Sequence, residues 1–314
     1  MCTTANINLN GKFIFGRTLD LECAFGDGVV LVPRNFPIKL RSGKIILRHT
    51  AFLGMATIRD GFPLFADGMN EYGLCIAGLN FPDSDEYAKH TSRNKTNLAP
   101  FEIIPYLLSM AKSADEAAGL IKDAHIVSIP FSDTIENTPL HYHVSDGVCG
   151  FIIEWTDGAL HVYEDKVGVL TNSPPYPYQL YNLAHYLNIG REEAQNSHGA
   201  RVFGKGLMAH GLPGDYSPTS RFAKAAWLCQ TKNAPDGCEL AVAESFMRAV
   251  APPYGSIITE NGKMHFTRYI SLMQPSDSSY NVIFPQNGCQ SVKAKKESLD
   301  LDSLEILCKR TTSF

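Results

Sequence analysis

Cys2 could act as a nucleophile because of its place in the chain. It directly follows Met1, so removal of Met1 would leave a thiol and a free α-amine on one residue. An α-amine has a reference pKa of about 7.7–8.0 and can therefore act as a general base near neutral pH. It can take the thiol proton, directly or through one water, and leave a thiolate nucleophile without a histidine partner. A cysteine at position 2 is also an ordinary product of composition, so the chemical interpretation needs partner residues.

Three charged residues stand where folding alone does not favour a charge. Arg17 and Asp20 interrupt the apolar run of residues 12–22, and charges seldom enter a strand core unless they are paired or functional. Arg221 follows Ser217 in a predicted helix cap and first turn, where a cation opposes the helix dipole. A solvent-facing strand edge would explain Arg17 and Asp20 structurally. A salt bridge to the sheet formed by the first strands would explain Arg221. In the catalytic interpretation Arg17 holds the thiolate by charge and Asp20 orients the α-amine.

Two further motifs do not support a site. Residues 199–205 copy the opening of a phosphate-binding P-loop, but Gly206 stands where Ser or Thr must reach Mg²⁺. His141 and His143, with Cys149 nearby, are potential metal ligands. Alternate histidines on one strand are more typical of packing or surface positions, and the chain has no HExxH or CxxC motif. The sequence therefore predicts neither a nucleotide site nor a metal site, and it implies no cofactor.

Composition indicates an ordinary globular protein. The 314 residues are 44% hydrophobic and 19% charged, which excludes collagen, coiled coil and disorder. A net charge of −4 gives no global basic field that would gather nucleic acid or an anionic membrane. The eight cysteines have no framework spacing, so we expect reduced thiols in a cytoplasmic protein. We expect no secretory signal and no membrane span.

The elements that would position Cys2 and its partners are strands in the first part of the chain. Short runs rich in β-branched and aromatic residues, separated by Gly, Pro, Asn and Asp, predict strands at 12–22, 28–32, 44–49 and 52–58. Two more strands are expected within 141–164, joined at Asp157 and Gly158. A final hairpin is expected within 256–284, around Asn261 and Gly262.

Helical spacing appears in other stretches. Residues 99–123 predict two helices, the first starting near Pro100 and the second at a capping box formed by Ser113 and Glu116. Further helices are predicted at 178–187, 220–230 and 238–250. Strand blocks and helix blocks are segregated, which favours an α+β fold or a layered αββα fold over a doubly wound parallel sheet. Because no repeat and no long linker interrupts the chain, we expect one domain over residues 1–314.

Several blocks, in one order along the chain, resemble the choloylglycine hydrolase family of N-terminal nucleophile hydrolases, and in particular its bile salt hydrolases. They are MCT (1–3), FGRTLDLE (15–22), PRNF (33–36), FADGMNE (65–71), AGLNFP (77–82), GVLTNSP (168–174), GLPGD (211–215) and SRF (220–222). The resemblance implies a four-layer αββα sandwich and a homotetramer. It also implies hydrolysis of a linear amide bond between a bile acid and glycine or taurine, through a thioester.

The resemblance also implies a site. The catalytic residues would be Cys2 as the nucleophile with Arg17, Asp20, Asn80, Asn172 and Arg221. The side-chain amide of Asn172 and the backbone N–H of Asn80 would bind the oxyanion of the tetrahedral intermediate. From their residue types alone, both asparagines would pass as turn residues.

The substrate pocket implied by the resemblance is broad and apolar, as a steroid requires. Its predicted residues are Leu19, Arg59, Ala66, Asn80, Phe131, Ile135 and Leu140. Arg59 departs from the aromatic or apolar residue expected in a mobile loop there, and an arginine would suit the anionic end of the substrate.

Two alternatives remain open. One is penicillin V acylase, which shares the fold and the nucleophile; Asn80 favours bile salts, since penicillin acylases tend to have tyrosine there. The other is a protein that binds steroid amphiphiles without cleaving them. The preference between glycine and taurine conjugates is not predicted.

Overall fold

Two large β-sheets dominate the protein, which is described by a computed structural model covering residues 1–23, 28–186, 189, 211–259, 261–285, 290–295 and 300–310. The strands are β1 (Cys2–Leu9), β2 (Lys12–Leu21), β3 (Gly28–Val32), β4 (Ile38–Lys39), β5 (Ile45–Ile46), β6 (Phe52–Arg59), β7 (Phe62–Phe65), β8 (Asp67–Asn70), β9 (Cys75–Asn80), β10 (Thr96–Leu98), β11 (Ala124–Ile126), β12 (Leu140–Ser145), β13 (Gly150–Thr156), β14 (Ala159–Glu164), β15 (Val169–Leu170), β16 (Ile257–Ile258), β17 (Met264–Gln274), β18 (Ser279–Phe284), β19 (Gln290–Lys295) and β20 (Leu307–Arg310). The α-helices are α1 (Ile103–Met110), α2 (Ala114–Asp123), α3 (Tyr176–Leu183), α4 (Pro218–Leu228) and α5 (Glu239–Val250).

The first sheet has the order β15-β1-β2-β17-β18-β19, with β16 paired to β17. Its β1 and β2 form a hairpin through Asn10 and Gly11, whose φ angles of 53° and 75° are the positive values that a tight two-residue hairpin turn requires. The turn fixes the register, so Cys2 lies opposite Leu19 and Thr4 lies opposite Arg17. The hairpin therefore places the start of the chain in the interior of the sheet.

The second sheet has the order β14-β13-β12-β9-β8-β6-β3-β20, with β7 paired to β6. Alternation along its strands decides which residues face which layer. In β3, Val29 and Leu31 belong to the core between the two sheets, while Val30 and Val32 belong to the core under α1 and α2. Helices α4 and α5 pack on the other side of the first sheet. The layers are therefore helix, sheet, sheet and helix, as predicted.

Two glycines bring β6 and β8 unusually close together. A methyl group on Gly54 would collide with the carbonyl oxygen of Asp67, and one on Gly68 would lie 2.7 Å from the carbonyl oxygen of Leu53. No side chain fits between these backbones. The position of Asp67 is therefore set by direct contact with the neighbouring strand.

Most predicted elements are confirmed, including the strand at 28–32 and the helices near 220–230 and 238–250. The cap of α2 is confirmed, since Ser113 Oγ accepts from the Glu116 backbone N–H at 3.2 Å. The Glu116 side chain binds the backbone N–H of Lys112 at 2.8 Å, so only half of the predicted capping box forms. The turn at Gly262 is also present, with a φ of 73°.

Three predictions about elements needed correction. The strand predicted at 44–49 reduces to β5, because Ile45 and Leu47 are exposed and only Ile46 of the three is buried. Residues 141–164 contain three strands rather than two: the Asp146 carboxylate accepts from the backbone N–H groups of Val148 and Cys149 and makes an additional turn. The helix predicted at 178–187 begins earlier and ends at Leu183, followed by a 3₁₀ turn. Residue 187 and the P-loop-like residues 199–205 lie outside the described residues.

Candidate active site

The β1–β2 hairpin brings the Cys2 thiol beside a buried guanidinium. Residues that lie opposite or two apart on paired strands share a face, so Cys2, Arg17 and Leu19 point the same way, toward the second sheet. Arg17 Nη2 donates to Cys2 Sγ at 3.6 Å. Both side chains are almost fully buried. The sulfur therefore lies next to a buried positive charge.

Arg17 is held in place by a carboxylate and two tyrosines. Its Nη1 donates to Asp67 Oδ2 at 2.9 Å and also to the Tyr269 hydroxyl, and its Nη2 donates to the Gly78 carbonyl at 3.1 Å. Tyr269 and Tyr280 both donate to Asp67, the former at 2.6 Å. Burial alone would lower the pKa of Arg17, but Tyr269, Cys2 and Asp67 outweigh it and raise that pKa. The guanidinium is therefore a permanent charge in a fixed orientation.

Asp20 lies on the opposite face of β2 from Arg17, because three residues along a strand reverse the side-chain direction. Both side chains are buried, so the solvent-facing strand edge considered from the sequence is wrong, and the carboxylate that binds Arg17 is Asp67. Asp20 is fully buried and accepts from the Thr18 hydroxyl at 3.2 Å and the Thr267 hydroxyl at 2.7 Å. Its backbone carbonyl accepts from the Met1 amine at 2.7 Å, so it does lie at the start of the chain.

Arg221 connects the first turn of α4 to the start of β1. Its Nη1 donates to the Cys2 carbonyl at 2.5 Å and to Thr3 Oγ1 at 2.6 Å, and its Nη2 donates to Asn172 Oδ1 at 2.8 Å. Burial lowers the pKa of Arg221, and the charges of Asp20 and Cys2 oppose that shift. This contact to the early sheet involves backbone and hydroxyl oxygens rather than the salt bridge considered from the sequence.

The two predicted oxyanion residues come together beside Cys2. Asn172 Oδ1 accepts from the Cys2 backbone N–H at 2.8 Å, and Asn172 Nδ2 donates to the Asn80 carbonyl at 2.6 Å. Asn80 is the last residue of β9, and Asn172 follows β15 by two residues. All six predicted catalytic residues thus lie around the start of β1, although they come from distant parts of the chain.

The Met1 amine occupies a half-enclosed place near these groups. It lies 2.9 Å from His265 Nε2, and His265 Nε2 in turn lies 2.5 Å from the Asp20 carbonyl oxygen. Burial lowers the pKa of the Met1 amine, and nearby Cys2 and Asp20 oppose that shift. The Met1 amine is therefore shifted toward its neutral form.

A cavity of about 350 Å³ opens beside Cys2, and its wall is mainly apolar. Six of the seven predicted pocket residues line it: Leu19, Ala66, Asn80, Phe131, Ile135 and Leu140. Arg59 is not among the described residues of the wall; it lies exposed at the end of β6 and donates to the Ile58 carbonyl at 3.0 Å. The cavity also contains Phe65 and Phe101, which residue patterns did not indicate. A wall of this kind suits a large apolar group attached to a polar one.

Arg41 supports this wall from behind. Its guanidinium lies 4.9 Å from the centre of the Phe131 ring and 5.7 Å from that of Phe101. It also donates to the Phe131 carbonyl at 2.8 Å. Both aromatic rings are therefore fixed by a cation that does not itself reach the cavity wall among the described residues.

Sequence reasoning missed Asp67, Tyr269 and Tyr280. A buried arginine requires an acidic partner, which was the available signal, but several carboxylates satisfied it equally. His141 and His143 were interpreted as packing or surface residues. Both are buried, and each pairs with a carboxylate, Glu154 or Asp165. In the described part of the chain no group of three or more His, Cys, Asp or Glu side chains could hold a metal ion.

The match to a family model decides how these residues are to be understood. The model for linear amide C–N hydrolases of the choloylglycine hydrolase family matches residues 2–307. The chain belongs to the choloylglycine hydrolase family. Its members are hydrolases acting on linear amide C–N bonds, and this chain is therefore a hydrolase of that type.

Individual members of the choloylglycine hydrolase family are similar to this chain in sequence and in structure. The chain is 36% identical to the bile salt hydrolase/transferase of Clostridium perfringens (strain 13 / Type A), covering 96% of this chain and 94% of the relative. It superposes on a variant conjugated bile acid hydrolase from Clostridium perfringens with a TM-score of 0.89 and 33% identity, covering 99% of this chain and 97% of that one. Penicillin V acylase from Agrobacterium tumefaciens superposes with a TM-score of 0.76 at 19% identity, covering 98% and 90%, which shows a shared fold. The predicted αββα sandwich of the N-terminal nucleophile hydrolases is confirmed.

Proposed function

We propose that the protein hydrolyses the amide bond that joins a bile acid to glycine or taurine, with Cys2 as the nucleophile. The observation that carries this proposal is the Cys2 thiol, 3.6 Å from Arg17 Nη2, at the wall of a mainly apolar cavity. A relative 36% identical to this chain is a bile salt hydrolase/transferase. The steroid would occupy the cavity, and the amide carbonyl would lie at its polar end, between Cys2 and the two asparagines.

The chemistry begins with removal of Met1, which frees the Cys2 amine. The amine takes the thiol proton, and the thiolate attacks the amide carbonyl carbon. Asn172 and the backbone N–H of Asn80 donate to the oxyanion. The carbon–nitrogen bond then breaks, and the α-ammonium gives its proton to the departing amine. Water, activated by the free amine, hydrolyses the thioester and releases the bile acid and the thiol.

Arg17, Asp20 and Arg221 act on the nucleophile rather than on the leaving group. Arg17 stabilises the thiolate by charge, and Arg221 fixes the Cys2 carbonyl at 2.5 Å. Asp20, buried beside the chain start, favours the ammonium form that the amine must adopt during the reaction. No metal or organic cofactor takes part in the proposed sequence of steps.

The proposal includes three properties of the whole protein: one domain over residues 1–314, a homotetramer and a cytoplasmic location. Seven cysteines in the described residues are free, which accords with a reducing compartment. In the same residues, no helix is long and apolar enough to cross a membrane. Light scattering on the purified protein tests the tetramer.

The test is to compare hydrolysis of glycocholate, taurocholate and penicillin V by the wild-type chain and by Cys2→Ala. We expect hydrolysis of at least one bile salt, and no turnover by Cys2→Ala. The matched control is Cys229→Ala, another buried cysteine, whose pKa burial raises to about 12 and which lies outside the site. A strong preference for penicillin V would show that bile salts are not the main substrates. A fully active Cys2→Ala protein would refute the mechanism.

Intact mass spectrometry separates a hydrolase from a protein that only binds steroids. A chain that has lost Met1 carries the catalytic amine, and one that retains Met1 does not. Retention of Met1 together with bile salt binding, but without hydrolysis, would favour the binding protein.

A further inference from the structure

One buried histidine connects the two strand ends that carry the asparagines. The ring of His141 stacks on Phe81, the residue after Asn80, with ring centres 4.3 Å apart and planes 4° from parallel. Its Nε2 lies 2.9 Å from the carbonyl oxygen of Thr171, the residue before Asn172. His141 is fully buried between the sheets. It therefore contacts the residue next to each asparagine, Phe81 through the face of the ring and Thr171 through the Nε2 edge.

Glu154 fixes the orientation of that ring. His141 Nδ1 lies 2.9 Å from Glu154 Oε1, and both carboxylate oxygens accept from the Tyr176 backbone N–H at 3.1 Å. Both ring nitrogens thus face oxygen acceptors. Both bonds form when His141 and Glu154 hold two protons between them. Hydrogen bonds at both ring nitrogens restrict rotation of the ring.

We propose that His141 and Glu154 are positioning residues that set the distance between Asn80 and Asn172, and with it the oxyanion-binding geometry. This inference rests on the proposed function. Neither residue lines the cavity among the described residues or contacts Cys2. They act through Phe81 and Thr171. An oxyanion site tolerates little displacement of its donors, because donors that miss the developing charge contribute far less to the rate.

His143 provides a matched control on the same strand and the same face. It is fully buried and pairs with Asp165, with His143 Nε2 2.9 Å from Asp165 Oδ2. Its Nδ1 lies 2.8 Å from Thr4 Oγ1, and its Nε2 also lies 3.2 Å from Asn6 Nδ2. Its partners are therefore a hydroxyl, a carboxylate and an amide rather than the neighbours of Asn80 and Asn172. Loss of His143 removes a similar buried pair without touching Phe81 or Thr171.

The experiment compares His141→Asn and Glu154→Gln with His143→Asn and wild type in two assays. Hydrolysis of the bile salt that wild type cleaves fastest requires the oxyanion donors. Alkylation of Cys2 by iodoacetamide does not, because the thiolate displaces iodide and no tetrahedral oxyanion forms. We expect kcat to fall about 10- to 100-fold for His141→Asn and Glu154→Gln, with KM and the alkylation rate unchanged. His143→Asn keeps kcat.

A further variant separates positioning from loss of packing. His141→Gln retains a donor near the place of Nε2, so it should recover part of the kcat that His141→Asn loses. If His141 were needed only for packing, the two variants would have the same kcat at equal thermal stability. Wild-type kcat in both His141→Asn and Glu154→Gln would overturn the inference. So would alkylation that slows in parallel with kcat, or an equal loss of kcat in His143→Asn. A wild-type chain that cleaves no bile salt and no penicillin would refute the proposed function and the inference with it.

Discussion

The two sides of the proposed reaction centre are built differently. On the thiol side, Arg17 and Asp67 come from β2 and β8, and the tyrosines that bind Asp67 come from β17 and β18. On the amide side, Asn80 and Asn172 stand at or just beyond strand ends and depend on neighbours for their position. A charge that must stay fixed is held by direct bonds inside the sheets. Donors that must approach a substrate stand at or just beyond the ends of strands, where the cavity opens, and need indirect support.

The largest expected effect comes from removing the carboxylate on the thiol side. Asp67→Asn leaves the Arg17 charge buried without its acidic partner, which typically costs about 3–5 kcal/mol of stability. The guanidinium would also lose its orientation toward Cys2, so alkylation by iodoacetamide and hydrolysis should slow together. Urea unfolding and the two rate assays measure this. Slow hydrolysis with wild-type alkylation would contradict the division between the two sides.

The two tyrosines that bind Asp67 test the same comparison with a smaller expected loss of stability. Tyr269 binds both Arg17 and Asp67, whereas Tyr280 donates to Asp67 and accepts from the Met55 backbone N–H at 3.0 Å. Each Tyr→Phe change should cost about 1–3 kcal/mol, since each leaves buried polar groups unsatisfied. Only Tyr269→Phe should slow Cys2 alkylation markedly. Equal alkylation rates in the two variants, at equal loss of stability, would show that Tyr269 does not act through Arg17.

A change in the cavity wall should alter substrate binding without affecting the thiol side or the amide side of the reaction centre. Arg41→Met removes the cation behind Phe131 and Phe101 and the bond to the Phe131 carbonyl. Exposed or partly exposed cation–aromatic contacts are worth about 0.5–1 kcal/mol, so KM for bile salts should rise about two- to five-fold. Alkylation of Cys2 should not change. A fall in kcat with constant KM would place Arg41 with the asparagines instead.

The smallest expected effect on the two rates comes from a residue outside the site. Ser113→Ala removes the N-cap of α2, which typically costs about 1 kcal/mol. Neither hydrolysis nor alkylation at a temperature well below the melting point should change. This variant calibrates the others, because it shows what a loss of stability alone does to the two rates.

Local signals revealed most of the elements and four of the six predicted catalytic residues, Cys2, Arg17, Asp20 and Arg221. Arg17 and Asp20 stood out because charges in an apolar run require an explanation, and Cys2 because of its position. Asp67 did not stand out, because its partner Arg17 lies 50 residues away and pairing across two sheets leaves no local pattern. The type of His141 was visible, but its meaning depends on Thr171 and Phe81, which only the folded chain brings to it. Asn80 and Asn172 were identified through resemblance alone, since their types suit turns equally well.

The close approach of β6 and β8 has a consequence for directed evolution of this scaffold. Gly54 and Gly68 are not among the described residues that line the cavity, so a design that varies only pocket residues would treat them as free positions. Any side chain at Gly54 would push against the backbone of Asp67, and that displacement would reach the thiol through Arg17. A library intended to alter substrate preference should keep both glycines constant. Variants at either position should be lost from selection for activity even when the substrate pocket itself is unchanged.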